Sequence, residues 1–150
     1  MPRLRHSFPA AVFIVLLRGG SVCLLRRTGA DRQDGRFSLP EGGVEAGETP
    51  RGAAIREARE EVGVEFAAAD LRYAHTLHAR TGDEEWTGHF FVAIDWAGEP
   101  GVRAPERHDD LRWVPLVDLP HDIVPYVRQA LAAIADGDRY SEFGCGMVAG

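Results

Sequence analysis

Glu57, Glu60 and Glu61 stand at positions i, i+3 and i+4, so a helix would carry them on one face. Carboxylates at those spacings repel one another and cost helix stability. An acidic helix face is usually tolerated because water solvates it. These three, however, follow a glycine-rich segment holding two further acids, Glu45 and Glu48. Carboxylates converging on a hard cation lose their repulsion and supply oxygen donors suited to magnesium or manganese. Such an ion neutralises phosphoryl oxygens and lowers the pKa of bound water. The expectation from these residues is therefore a site for a hard divalent cation.

Composition removes most alternatives. The chain has 150 residues, 45% of them apolar, which suits one domain with a single core. Its 17 basic side chains face 23 acidic ones, for a net charge of −6. That balance argues against a nucleic-acid partner or an anionic membrane surface. All the basic residues are arginine, and no lysine or asparagine occurs. P-loop, Schiff-base and protein-kinase chemistries are thereby excluded. Only Cys23 and Cys145 are present, too few for a disulfide framework, and the expected location is cytoplasmic. The apolar run 10–17 behind Arg3 and Arg5 is too short to span a bilayer, and it reads as a strand rather than a targeting signal.

The elements that must position the acids follow from periodicity and punctuation. Residues 10–17 and 21–27 read as buried strands joined at Gly19-Gly20. Residues 28–49, with Gly29, Gly35, Gly42, Gly43 and Gly47, read as a long functional loop. Thr49-Pro50 starts a helix and Gly63 stops it, giving a helix over 50–62. Strands are expected at 71–79, 86–96 and about 111–115, and Ile123, Val127, Ala130, Leu131 and Ile134 mark a second amphipathic helix. The expected fold is α/β: a mixed sheet between helices in one domain, with a core over about 8–135 and a flexible tail at 136–150.

From Gly42 to Val64 the chain resembles the Nudix box, G-x5-E-x7-R-E-U-x-E-E-x-G-U, where U is a bulky aliphatic residue. Gly42, Glu48, Arg56, Glu57, Glu60, Glu61, Gly63 and Val64 occupy its fixed positions. Ala58 departs from the pattern by being small, which touches packing and not chemistry. The resemblance implies a Nudix hydrolase, an α/β/α sandwich that cleaves a nucleoside diphosphate derivative with a divalent metal. It implies that Glu57, Glu60 and Glu61 bind magnesium, with manganese as a substitute. Glu57 or Glu60 would also orient or deprotonate the attacking water, and a backbone carbonyl near Gly42 would complete the ligands. Glu48 and Arg56 would clamp the loop onto the helix. An extra acid outside the box is expected at Glu106, with Asp109 and Asp110 nearby, against the competing reading of a solvated acidic loop.

Without lysine, arginines must supply any further positive charge for a polyphosphate. Arg27 and Arg80 are the candidates, and for each the competing reading is a solvated surface arginine. Trp86 and Phe37 are candidates to stack a base, against a core role. His75 and His78 point to opposite strand faces and do not form a ligand pair; His89, His108 and His121 show no informative spacing. The expected partner is a small nucleotide: a nucleoside triphosphate, a nucleotide sugar or a dinucleoside polyphosphate. A homodimer is left open. The competing function is a non-catalytic module that senses a nucleotide on the same fold, for which an intact set of three acids would be superfluous.

Overall fold

The computed structural model describes residues 3–29 and 34–146; part of the expected loop, residues 30–33, lies outside them. The elements run β1 (Ala10–Arg18), β2 (Ser21–Arg27), β3 (Phe37–Ser38), β4 (Glu41–Gly43), α1 (Pro50–Val62), β5 (Arg72–Thr81), β6 (Glu84–Ala93), β7 (His108–Pro115), α2 (Pro125–Ala135) and β8 (Tyr140–Phe143). One mixed sheet has the order β3-β2-β1-β6-β5-β8, with β4 also pairing β1 and β7 pairing β2. No helix is long and apolar enough to cross a membrane among the described residues.

The run of β1 is apolar on both sides because helices cover both faces of the sheet. Phe13 and Val15 face a core completed by Val127, Ala130 and Leu131 of α2. Val12, Ile14 and Leu16 face the opposite core, closed by Ala53, Ala54, Ala58 and Val62 of α1. The small side chains of α1, Ala58 included, bring that helix close to the sheet. The layers are α/β/α, as the sequence predicts.

β1 is parallel to β6 along its length, from Ala10↔Thr87 to Leu16↔Ala93. It pairs β2 only at Leu17↔Val22 and Arg18↔Ser21. Nearer its start, Ala11, Val12 and Phe13 pair instead with Gly43, Gly42 and Glu41 of β4. The β2–β7 pair therefore parts from β1 toward the start of β1, and a cleft opens there.

Helix α1 has the predicted limits for the predicted reasons. The Thr49 side chain accepts from the Gly52 N–H at 3.0 Å, Pro50 takes the first turn, and Gly63 is left-handed at φ +76°. Two expectations needed correction. The segment 28–49 is not loop throughout, because β3 and β4 form inside it where β2 and β1 offer open edges. The segment 136–150 is not a flexible tail as far as it is described. β8 pairs in parallel with β5 from Thr76↔Tyr140 to Ala79↔Phe143, and His75 reaches the Asp138 carbonyl and the Ser141 hydroxyl at 2.8 and 2.7 Å. Residues 147–150 lie outside the described residues.

Candidate active site

The acids of α1 divide into two kinds. Glu57 and Glu61, one turn apart, are buried at 4% and 2% exposure, whereas Glu60 is exposed. Glu61 accepts from the Glu41 N–H at 2.7 Å and from Arg107 Nη1 at 3.4 Å; His108 Nε2 stands 3.7 Å from it. Burial is the main cause that pushes the Glu61 carboxyl up to about 8, with the charges of Glu41 and Glu57 adding to it. Burial also raises Glu57, against the opposing pull of Arg56. Glu57 Oε2 is buried with no hydrogen-bond partner.

Gly42 explains how β4 approaches these acids. A Cβ at this position would stand 2.0 Å from the Glu57 carboxyl carbon and from its Oε1, so any other residue would displace the carboxylate. The loop is held by Arg56. Its Nε and Nη2 donate to the two oxygens of Glu48 at 2.7 and 2.9 Å, and Nη2 also donates to the Gly43 carbonyl at 2.9 Å. Nη1 reaches Glu57 at 2.8 Å and Glu60 at 3.3 Å. Glu48 in turn accepts from the Glu45 N–H at 2.9 Å. The paired guanidinium holds the Glu48 carboxyl down to about 2.

Of the α1 acids, Glu61 borders a cleft of about 590 Å³ between β1, β4, β6 and the start of β7, and Gly42, packed against Glu57, borders it too. One end carries Arg27, Glu41, Gly42, Glu61, Arg107 and His108; the other carries Trp86, Tyr126, Thr81 and Glu84. Arg27 thus lies where a phosphate-binding arginine is expected, with its Nη1 donating to Glu41 at 2.5 Å. Arg80 does not. Strand alternation turns it away from Thr81, which borders the cleft, and it lies on the surface 3.9 Å from Glu85. Glu106 sits in the exposed turn before β7 and does not border the cleft. Asp109 is engaged by Arg26 at 2.7 Å and Asp110 by Arg112 at 2.8 Å. Two acids outside the α1 cluster do border the cleft: Glu41 at the arginine end and Glu84 at the other.

Of the aromatic candidates, Trp86 borders the cleft, while Phe37 is a core residue at 2% exposure. His75 is buried and occupied by β8, and His78 bonds Glu85 at 2.8 Å. Sequence reasoning missed Glu41, Arg107, His108 and Tyr126. For Glu41 a signal existed, since it adjoins Gly42. Arg107 and His108 reach the site through the pairing of β7 with β2, which sets His108 opposite Arg27; linear spacing does not reveal that.

Among the described residues no three His, Cys, Asp or Glu side chains are gathered closely enough to form a ready-made metal cage. The donor set nevertheless fits a hard divalent cation. It offers a buried carboxylate oxygen without a partner, a second buried carboxyl whose proton affinity is raised chiefly by burial, and a glycine that keeps the space beside them open.

A family model described as the NUDIX domain matches residues 7–134. An RNA pyrophosphohydrolase of Roseobacter denitrificans is 28% identical over 149 residues, covering 88% of this chain and 92% of that protein. A putative 8-oxo-dGTP diphosphatase 2 of Mycobacterium tuberculosis is 35% identical over 127 residues, covering 80% of this chain and 83% of that one. Among solved structures, a MutT NUDIX hydrolase from Burkholderia pseudomallei superimposes with a TM-score of 0.78 at 28% identity, over 85% of this chain and 98% of that chain.

Proposed function

This chain belongs to the NUDIX family and is a Nudix hydrolase, and on that premise we propose that it cleaves the diphosphate linkage of a free nucleoside triphosphate, with magnesium as its cation. The observation that carries the proposal is the two-ended cleft, with an aromatic wall at one end and arginines beside buried carboxylates at the other. A nucleotide has that same polarity. The net charge of −6 and the absence of lysine favour a small substrate over an RNA chain, whose backbone calls for a basic surface. The relative from Mycobacterium tuberculosis carries the name of a deoxynucleoside triphosphate diphosphatase.

Glu57, Glu60 and Glu61, with the Gly42 carbonyl, are the residues that would hold the cation. Bound there, a divalent ion neutralises phosphoryl oxygens and lowers the pKa of water. The chain's own groups do the rest. Arg27 and Arg107 draw the polyphosphate to the carboxylate end of the cleft. Glu57 or Glu60 takes the proton from the water that attacks phosphorus; the P–O bond to the leaving phosphate breaks as the new one forms. Arg56 and Glu48 fix the loop that brings Gly42 against Glu57.

The experiment is product analysis on a panel of nucleoside triphosphates, nucleotide sugars, dinucleoside polyphosphates and 5′-triphosphorylated RNA, with magnesium present. Release of pyrophosphate or phosphate from free triphosphates is the expected result. Preference for the RNA, or binding of nucleotides without turnover, would overturn the proposal; the second outcome would return the chain to a sensing role.

A further inference from the structure

The end of the cleft away from the arginines holds a carboxylate that neither the fold nor the α1 cluster uses. Glu84, Trp86 and Gly88 alternate on β6 and face the cleft side of the sheet. At Gly88 an added Cβ would stand 2.9 Å from the Phe13 ring and 3.1 Å from the Trp86 ring. The missing side chain is what lets Trp86 lie back on Phe13, with centroids 5.8 Å apart. The indole N–H is spent on the Thr81 hydroxyl at 2.9 Å, and Tyr126 meets the ring edge-on at 4.9 Å. Trp86 is therefore a fixed, half-buried aromatic wall with no donor left to read a base edge. The group placed to do that is Glu84, one step along the same strand face. It is exposed at the rim, directly opposite Thr81, and no hydrogen bond or ion pair among the described residues engages its carboxylate.

A free carboxylate at this end repels phosphate and accepts two hydrogen bonds side by side. Among the nucleobases, guanine alone presents a ring N–H next to an exocyclic amine on one edge. Adenine, cytosine and uracil each set an acceptor beside their donor there, and an acceptor facing a carboxylate is unfavourable. An oxidised guanine carrying an extra oxygen at C8 keeps the same donor edge. Resting on the nucleotide reading above, we propose that Glu84 is a specificity-determining residue that selects guanine nucleotides by accepting from the ring N–H and 2-amino group of a base stacked on Trp86. The triphosphate then runs toward Arg27 and Arg107, away from the Glu84 charge.

Inosine nucleotides test this directly, since inosine keeps the ring N–H and lacks the 2-amino group. Binding of GMP, IMP and AMP is measured by calorimetry on the wild type and on Glu84→Ala, alongside kcat/KM for GTP, ITP and ATP. The wild type should bind GMP about tenfold more tightly than IMP, as expected for one charge-assisted hydrogen bond. In Glu84→Ala that ratio should fall to about one, with the GTP-over-ITP ratio of kcat/KM following it. Thermal melting of the variant should match the wild type, because the side chain is exposed and unbonded. Equal affinity for GMP and IMP in the wild type, or a preference that survives Glu84→Ala, would overturn the inference. Triphosphate turnover without guanine preference would sink the role of Glu84 and leave the proposed activity standing. Glu84-dependent guanine binding without turnover would do the reverse.

Discussion

The Glu61 carboxyl is buried one helical turn from Glu57, and its proton affinity is the main thing that burial changes. Its pKa rises from an ordinary 4.5 to about 8, so between those values the native state holds a proton that the unfolded chain has lost. For a raised acid, the stabilising contribution is complete below 4.5 and is lost as pH climbs through 8. The metal-free protein should therefore lose stability across that window, and Glu61→Gln, which stays neutral, should flatten the decline in a series of urea melts. A variant that declines as steeply as the parent would place the titration elsewhere. Turnover should favour mildly alkaline pH, where the carboxylates are ionised and able to bind metal. Gly42→Ala tests the same spot by volume. Its Cβ would displace the Glu57 carboxylate, and a misplacement of about 1 Å at a reacting centre can cost about 100-fold in rate. The circular dichroism spectrum should be unchanged, since a side-chain terminus can move aside. Normal activity in Gly42→Ala would contradict the position assigned to Glu57.

At the scale of elements, the loop before α1 and the edge strand β8 make separate predictions. If Glu48 holds the loop through Arg56, Glu48→Gln should lower the melting temperature with or without magnesium, whereas Glu61→Gln should blunt the magnesium-induced rise without lowering the metal-free melting temperature. Thr49→Ala removes the helix cap and should cost about 1 kcal/mol in urea unfolding. Truncation after Asp136 would remove β8 and leave His75 buried without its partners; faster amide exchange over Thr76–Ala79 is the expected result. Helix α1 was legible to the residue because Thr49, Pro50 and Gly63 mark its ends locally. β3, β4 and β8 were not legible. They contain two to four residues each, too few for periodicity, and they exist because a longer neighbour offers an unpaired edge. Sequence reading succeeds where the signal is local and fails where tertiary pairing creates the element.

Across the whole molecule, the same division applies to the site. The acids of α1 and the clamp residues come from one contiguous segment, so their spacing could be read directly. The cleft is assembled from β1, β4, β6, β7 and α2; Arg107 and His108 enter it through the pairing of β7 with β2, and Tyr126 through the packing of α2 on Phe13 and Trp86. Arg80 and Glu106 lie off the cleft lining for the same reason: proximity along the chain to a promising segment did not decide which way a side chain faced. The molecule is a scaffold that gathers carboxylates whose mutual repulsion a divalent cation would relieve. Binding of the ion to the native state alone then adds RT ln(1 + [L]/Kd) to stability. The most direct test is pyrophosphate or phosphate release from nucleoside triphosphates, titrated with magnesium for the wild type and Glu61→Gln, with excess chelator as the zero point. The expected result is no turnover in chelator, saturable activation of the wild type, and loss of most of that activation in the variant. Full turnover in excess chelator, or an unchanged magnesium response in Glu61→Gln, would contradict it.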